Sequence, residues 1–208
     1  MGRKLQEETN LKDIYFEQLY TYGAVNRDPR MRVISTAYMA LIPDQNLKPV
    51  PGRDEAEVQW FSISKAPVSE NKWHLRLDSE EGNTTILYEV TDEEVKRGVS
   101  KETITTVNPK AISKETLAFD HYRILTDALM RMKNKIEYTD LAFNLVGERF
   151  TRAEIQSIYE LILDRKFTRM ELWRKIKDMV IETDAVKSEK GYRPSKYYIF
   201  NSDWGNKY

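Results

Sequence analysis

The pattern of apolar positions along the 208-residue chain changes its period once. Before about residue 114, apolar residues come in short β-branched and aromatic runs bounded by turn residues, the signature of strands. Ile14–Tyr22 (IYFEQLYTY) and Val33–Ile42 (VISTAYMALI) are the first two. The second is apolar on both faces and predicts a central strand of a covered sheet. Gln45–Glu55 holds two prolines and a glycine and reads as a loop. Glu57–Ile63 predicts a third strand, with Trp60 and Phe61 as core residues. Trp73–Leu77 and Thr84–Val90 flank Ser-Glu-Glu-Gly-Asn at 79–83, a hairpin signal. Thr91–Lys110 is polar and poorly periodic, and predicts a loop leading out of a first domain.

From Asp120 the period becomes helical. Ile124, Leu125, Ala128, Leu129 and Met132 share one face. Ile136–Tyr138 suggests a short strand, and Asp140–Val146 a short helix ended by Gly147. Thr151-Arg152-Ala153-Glu154 is a capping box opening a helix through Leu163. Thr168-Arg169-Met170-Glu171 is a second box, opening a helix through Met179. Val180–Thr183 and Tyr197–Phe200 then predict a hairpin around the polar stretch Asp184–Ser195. The period change places two domains at 1–113 and 114–208, an α+β chain.

Composition narrows the class. Forty per cent hydrophobic with 32% charged residues suits a folded globular chain rather than a disordered one. Cysteine is absent, which excludes disulfides, thiolate zinc sites and cysteine nucleophiles. No apolar run approaches the roughly 18 residues of a membrane helix, so the expectation is a cytoplasmic protein without a membrane partner. Net charge is zero, yet from Lys114 onward 18 Lys and Arg face 15 Asp and Glu. That bias is mild, and the placement of the cations carries more information.

Helix, short strand, helix, helix and a basic hairpin is the element order of a winged helix-turn-helix, whose second helix enters the major groove of DNA. Here that helix starts at Thr168. Its apolar residues share one face, leaving Arg169, Arg174, Lys175 and Lys177 to project outward. Arginine can bond guanine through two parallel hydrogen bonds, while lysines neutralise phosphates. Lys187, Lys190 and Arg193 on the hairpin would do the same, and Thr168 leaves backbone N–H groups open where a phosphate would lie. The bland alternative is a solvated amphipathic helix. The order of elements, taken with the basic hairpin, favours double-stranded DNA as a partner.

Several stretches are similar to a known family. Arg3-Lys4-Leu5-Gln6-Glu7-Glu8-Thr9-Asn10-Leu11 resembles the second half of the Nudix box. LAFDHYRIL (117–125), IEYTDLAFNLV (136–146), FTRAEIQSIYELILDRKFTRMELWRKI (150–176) and YRPSKYYIF (192–200) look like the winged helix of the Nudix-related transcriptional regulators of NAD metabolism. The resemblance implies a partial Nudix-like mixed sheet followed by a winged helix. It implies a homodimeric regulator that senses ADP-ribose or a related nucleotide and binds a DNA operator. Arg27, Arg30 and Arg32 would grip the effector's phosphates, a task suited to arginine's planar fork.

In the family's hydrolases, helix carboxylates hold divalent cations that clamp a diphosphate and activate water. Glu7 and Glu8 match the paired glutamates and are the candidate metal ligands. Lys4 stands where the first glutamate is expected, and a cation there repels the metal. The chain also begins inside the box, so either a truncated or a genuinely reduced domain is expected. The reading is therefore a regulator without hydrolytic activity that requires no cofactor. The alternative is a Nudix hydrolase of ADP-ribose or another nucleoside diphosphate derivative, with Mg2+ as its cofactor. Neither His74 nor His121 has a serine or cysteine motif beside it that would suggest a catalytic triad.

Overall fold

A computed structural model describes residues 15–43, 58–97, 99–188 and 194–207. Among these residues the fold is α+β. The strands are β1 (Tyr15–Tyr22), β2 (Ser35–Leu41), β3 (Phe61–Ser69), β4 (Lys72–Ser79), β5 (Thr85–Arg97), β6 (Ser100–Ala111), β7 (Phe150–Thr151), β8 (Val180–Lys187) and β9 (Ser195–Phe200). The α-helices are α1 (His121–Lys135), α2 (Arg152–Leu163) and α3 (Arg169–Ile176). The chain divides into two compact units that alternate along the sequence. The first holds described residues 21–35, 58–97 and 99–127, and the second holds 15–20, 36–43, 128–188 and 194–207.

The first unit is organised by an antiparallel sheet in the order β3-β4-β5-β6. Strand periodicity of two puts Trp73, Leu75 and Leu77 of β4 on one face, directly opposite Val90, Tyr88 and Ile86 of β5, and all six are buried. The expected turn at 79–83 is present. Gly82 adopts a left-handed φ of 70° that a side chain would disfavour, and Ser79 N–H donates to the Thr84 carbonyl at 2.9 Å. Strand β3 is an edge strand exposed along most of its length, and it tolerates Pro67 because an edge residue can leave its N–H side unpaired.

The second unit contains the three-stranded sheet β7-β9-β8 packed with α2 and α3. Ile136, Phe150, Ile155, Tyr159, Leu172, Ile176, Met179 and Tyr198 form its main core. A smaller cluster joins Met39 and Leu41 of β2 to Leu141, with Tyr15, Ala128 and Met132 against it.

Several sequence expectations change. Strand β2 pairs with β1 alone among the described residues, and only its Met39–Leu41 face is buried, so it is not the centre of a covered sheet. Tyr38 on its other face is 40% exposed. Thr91–Lys110 is not a loop but most of the β5–β6 ribbon, in which Thr91 pairs with Thr106 and Arg97 with Ser100. Its polar sequence lacks hydrophobic alternation, the main strand signal, and only its Thr and Val content hinted at strand. The third strand starts at Phe61 rather than Glu57, and Trp60 is 40% exposed rather than core. Ile136–Tyr138 is a turn that buries Ile136, not a strand. Leu141–Leu145 is a single 3-10 turn, and α3 ends at Ile176 before another such turn at Lys177–Met179.

Candidate nucleic-acid interface

Helix α2 begins where the sequence capping box predicts. Glu154 N–H donates to the Thr151 hydroxyl at 3.3 Å, and Thr151 N–H donates back to the Glu154 carboxylate at 2.7 Å. The other Glu154 oxygen accepts from Lys187 at 3.0 Å. Burial works to raise the Glu154 carboxyl, but the Thr151 N–H and Lys187 outweigh it and lower its pKa. The helix closes on Asp164 in the left-handed conformation at φ 53°.

The turn into α3 is held by polar contacts. The Gln156 amide donates to the Phe167 carbonyl at 3.0 Å, and Phe167 N–H donates to Glu160 at 3.1 Å. Lys166 also binds Glu160 at 2.8 Å. Together Lys166, Gln156 and the Phe167 N–H hold the Glu160 carboxyl at about 2. Thr168 then caps α3, accepting from Glu171 N–H at 3.2 Å.

Helix α3 buries Leu172 and Ile176 and half-buries Trp173. Arg169, Arg174 and Lys177 are exposed, and their side chains enter no ion pair among the described residues. Lys175 is different. Its Nζ lies 2.7 Å from Glu137 and 5.6 Å over the Tyr159 ring, so it is engaged within the domain. Lys187 is likewise engaged with Glu154. Thr168 is exposed, but its hydroxyl oxygen serves as the helix cap. Lys190 and Arg193 lie outside the described residues.

One cation here was not singled out from the sequence. The Arg152 guanidinium carbon lies 3.5 Å over the Trp173 ring, and its Nε donates to the Tyr198 hydroxyl at 3.0 Å. That hydroxyl donates onward to Glu182 at 3.0 Å, and Glu182 is also paired with Lys196. These residues line a groove of about 650 Å³ between α2, α3 and β9, with Arg169 on its wall. In sequence, Arg152 reads as a helix residue just after a cap. Its neighbours in the groove are 21 and 46 positions away, so no local pattern announces it.

The arginines expected to bind an effector lie in the loop between β1 and β2. Arg27 is almost fully buried and forms a two-pronged pair with Asp120, at 2.9 Å from Nε and 2.8 Å from one Nη, while its other Nη donates to Ser35 at 2.7 Å. Asp120 raises the already high Arg27 pKa. Arg30 makes a similar fork to Asp28, at 3.0 and 2.8 Å, and lies 4.7 Å over the Phe119 ring. The Arg30 side chain and backbone N–H together pull the Asp28 carboxyl down to about 2. Arg32 is exposed. The three side chains therefore do not converge as free donors. Two serve internal carboxylates.

Glu7 and Glu8, like Lys4 and Asn10 of the half-box, lie outside the described residues. Among the described residues, no cluster of three or more His, Asp or Glu side chains is placed to hold a metal ion. No helix among them is long and apolar enough to cross a membrane. His121 packs edge-on to Phe119, their ring centroids 6.2 Å apart.

Capped α2, a tight turn, α3 and the β8–β9 hairpin make the C-terminal part a winged-helix domain. Residues 142–200 match the NrtR DNA-binding winged helix domain. The chain is 28% identical over 200 residues to the "ADPR responsive transcriptional repressor NtrR" of Acinetobacter baylyi, covering 95% of this chain. It spans 61% of that curated relative's length. Among solved structures it is similar to a MutT/nudix family protein from Enterococcus faecalis, at 25% identity and a TM-score of 0.66. That match covers 97% of this chain and 68% of the other. It also shares the fold of Shewanella oneidensis NrtR in complex with a 27mer DNA, at 22% identity and a TM-score of 0.61, covering 99% and 73% of the two chains. The fold is that of a Nudix-like domain joined to a winged helix, and the resemblance to the Nudix-related regulators holds.

Proposed function

We propose that the chain is a DNA-binding transcriptional regulator whose Nudix-like part senses ADP-ribose or a related nucleotide. The observation that carries this is α3. It is an eight-residue helix anchored by Leu172 and Ile176 that exposes Arg169, Arg174 and Lys177 beside a wing hairpin. The match of 142–200 to a DNA-binding winged helix and the relative described as an ADPR-responsive repressor support it. The division of labour is sensing in 1–113 and DNA reading in 114–208, in a cytoplasmic homodimer. Its two α3 helices would sit roughly 34 Å apart on a palindromic operator.

Arg169 and Arg174 read base edges, while Lys177, with Lys190 and Arg193 of the wing, neutralises phosphates. Thr168 offers a phosphate the start of α3, and Lys175 and Lys187 hold the surface in place through Glu137 and Glu154. Arg32 is an exposed member of the three effector arginines. Arg27 reaches a ligand only by giving up Asp120, whereas exposed Arg30 keeps one Nη beyond its fork to Asp28.

The test is fluorescence anisotropy with duplexes from the gene's own upstream region against random sequence. Arg169→Ala is expected to weaken the cognate duplex more than the random one. Loss of salt-sensitive binding to any duplex by the unaltered chain would overturn the proposal. For the effector, ADP-ribose is expected to raise the melting midpoint, since a ligand favouring the folded state must do so. It must also bind the DNA-competent and incompetent states unequally to regulate anything.

A further inference from the structure

The geometry points to the groove between α2, α3 and β9 as the seat of one DNA-backbone phosphate, with Arg152 as its anchor. This rests on the reading of the domain as a DNA binder, and adds Arg152 of α2 to the cations of the recognition helix and wing.

Arg152 is held in place without any ligand. A surface arginine is normally mobile, and ordering it on a ligand costs side-chain entropy. Here the guanidinium already lies flat on Trp173 at 3.5 Å, with a second ring, Tyr198, at 5.1 Å. Its Nε is fixed to the Tyr198 hydroxyl at 3.0 Å. Guanidinium has five N–H donors, and this hydrogen bond uses one. Among the described residues no carboxylate pairs with Arg152, which leaves the two Nη groups for a ligand.

The surroundings favour an anion. Arg169 and Lys196 share the groove with Arg152, as do Glu160 and Glu182. Both carboxylates are already compensated, Glu160 by Lys166 and the Phe167 N–H, and Glu182 by Lys196 and the Tyr198 hydroxyl. Neither Arg152 nor Arg169 enters an ion pair among the described residues, although Glu182 lies near enough to feel the Arg152 charge. Ser195 adds a hydroxyl at the start of β9. Trp173 belongs to α3 and Tyr198 to the wing hairpin, so a phosphate on Arg152 also reports how those two elements are set. By contrast Lys187, one of the three wing cations expected from the sequence, is held by Glu154 at 3.0 Å.

The test measures affinity of the full chain for a short random-sequence duplex across a salt series. Each phosphate neutralised contributes about 0.9 to the slope of log K against log salt. Arg152→Ala is expected to lower that slope by about 0.9 and to weaken binding roughly eightfold at about 0.1 M salt, for cognate and random duplexes alike. Tyr198→Phe keeps the charge but frees the guanidinium, and is expected to weaken binding with the slope unchanged. If Arg152→Ala does not fold, Arg152→Gln gives the same slope reading.

An unchanged slope in a variant that folds, with the unaltered chain still binding DNA, overturns the phosphate seat and leaves the regulator reading intact. Failure of the unaltered chain to bind any duplex removes both. A nuclear magnetic resonance shift of Arg152 Nε–H on adding inorganic phosphate, with none on adding duplex, would make the groove a simple anion site and also overturns the proposal.

Discussion

The two units of this molecule solve the same problem by different means. The winged-helix unit closes a core on several sides, with Tyr159, Ile155, Ile176 and Ile136 almost wholly excluded from water. The first unit is built on a sheet whose buried residues lie on one face of β4 and β5, while its edge strand β3 is exposed along its length. Its loops are tied by polar clamps. Arg27 grips Asp120, Arg30 grips Asp28, and the Tyr88 hydroxyl accepts the Leu117 N–H at 2.7 Å. A helical core fixes its connections by packing, because side chains from several elements interdigitate. A one-sided sheet leaves loop positions unspecified, and directed hydrogen bonds supply what packing does not.

The largest expected effect tests the clamps. Arg27→Ala leaves the Asp120 carboxylate partly buried without its partner, and should destabilise the first unit by roughly 3–5 kcal/mol in urea unfolding. Replacing both partners, as in Arg27→Met with Asp120→Leu, should recover most of that loss, because no uncompensated charge remains. A single-variant loss below about 1 kcal/mol would mean that this loop is held by something other than its ion pair.

Core truncation sharpens the other side of the comparison. Ile176→Ala should cost about 2–5 kcal/mol in the winged helix, as should Leu75→Ala in the sheet. If the units unfold separately, each variant shifts only its own transition, monitored by Trp173 in one and Trp73 in the other. A single shared shift would show that the two behave cooperatively.

A smaller effect distinguishes the two helix caps. Thr151→Ala removes a buried, reciprocal capping box and should cost about 1–2 kcal/mol of thermal stability. Thr168→Ala, at an exposed one-way cap, should cost about 0.5–1 kcal/mol. Equal losses would remove the distinction between them.

Acid titration gives the finest reading. Asp28 and Glu160 each ionise at about 2 in the folded chain, below ordinary carboxylates near 4. Because these values are depressed, what the two groups contribute is fully present above about pH 4 and is lost as pH falls towards 2. Carbon-detected titration should find both midpoints near 2. Arg30→Ala should return Asp28 towards 4 and leave Glu160 where it is.

Local chemistry was legible wherever a signal was contained in a few consecutive residues. The Thr151 capping box, the turn at Gly82 and the β1 and β9 strands stand where the sequence placed them. So do the two capped helices and the closing hairpin of the winged helix, because helix caps, turn glycines and periodicity act through neighbours in the chain, but its short strand is Phe150–Thr151 rather than Ile136–Tyr138. The β5–β6 ribbon was missed since its strands are specified by backbone ladders rather than by an apolar stripe.

The sequence by itself determined the class of the C-terminal domain, the positions of its caps and the supply of cations along α3. Only the tertiary structure decided which cations are available. Lys175 and Lys187 meet carboxylates 38 and 33 positions away, Arg27 meets one 93 positions away, and Arg152 is held by Trp173 and Tyr198. Charge is a property of a residue, but whether that charge is free to meet a ligand depends on partners that only folding brings within a few ångströms.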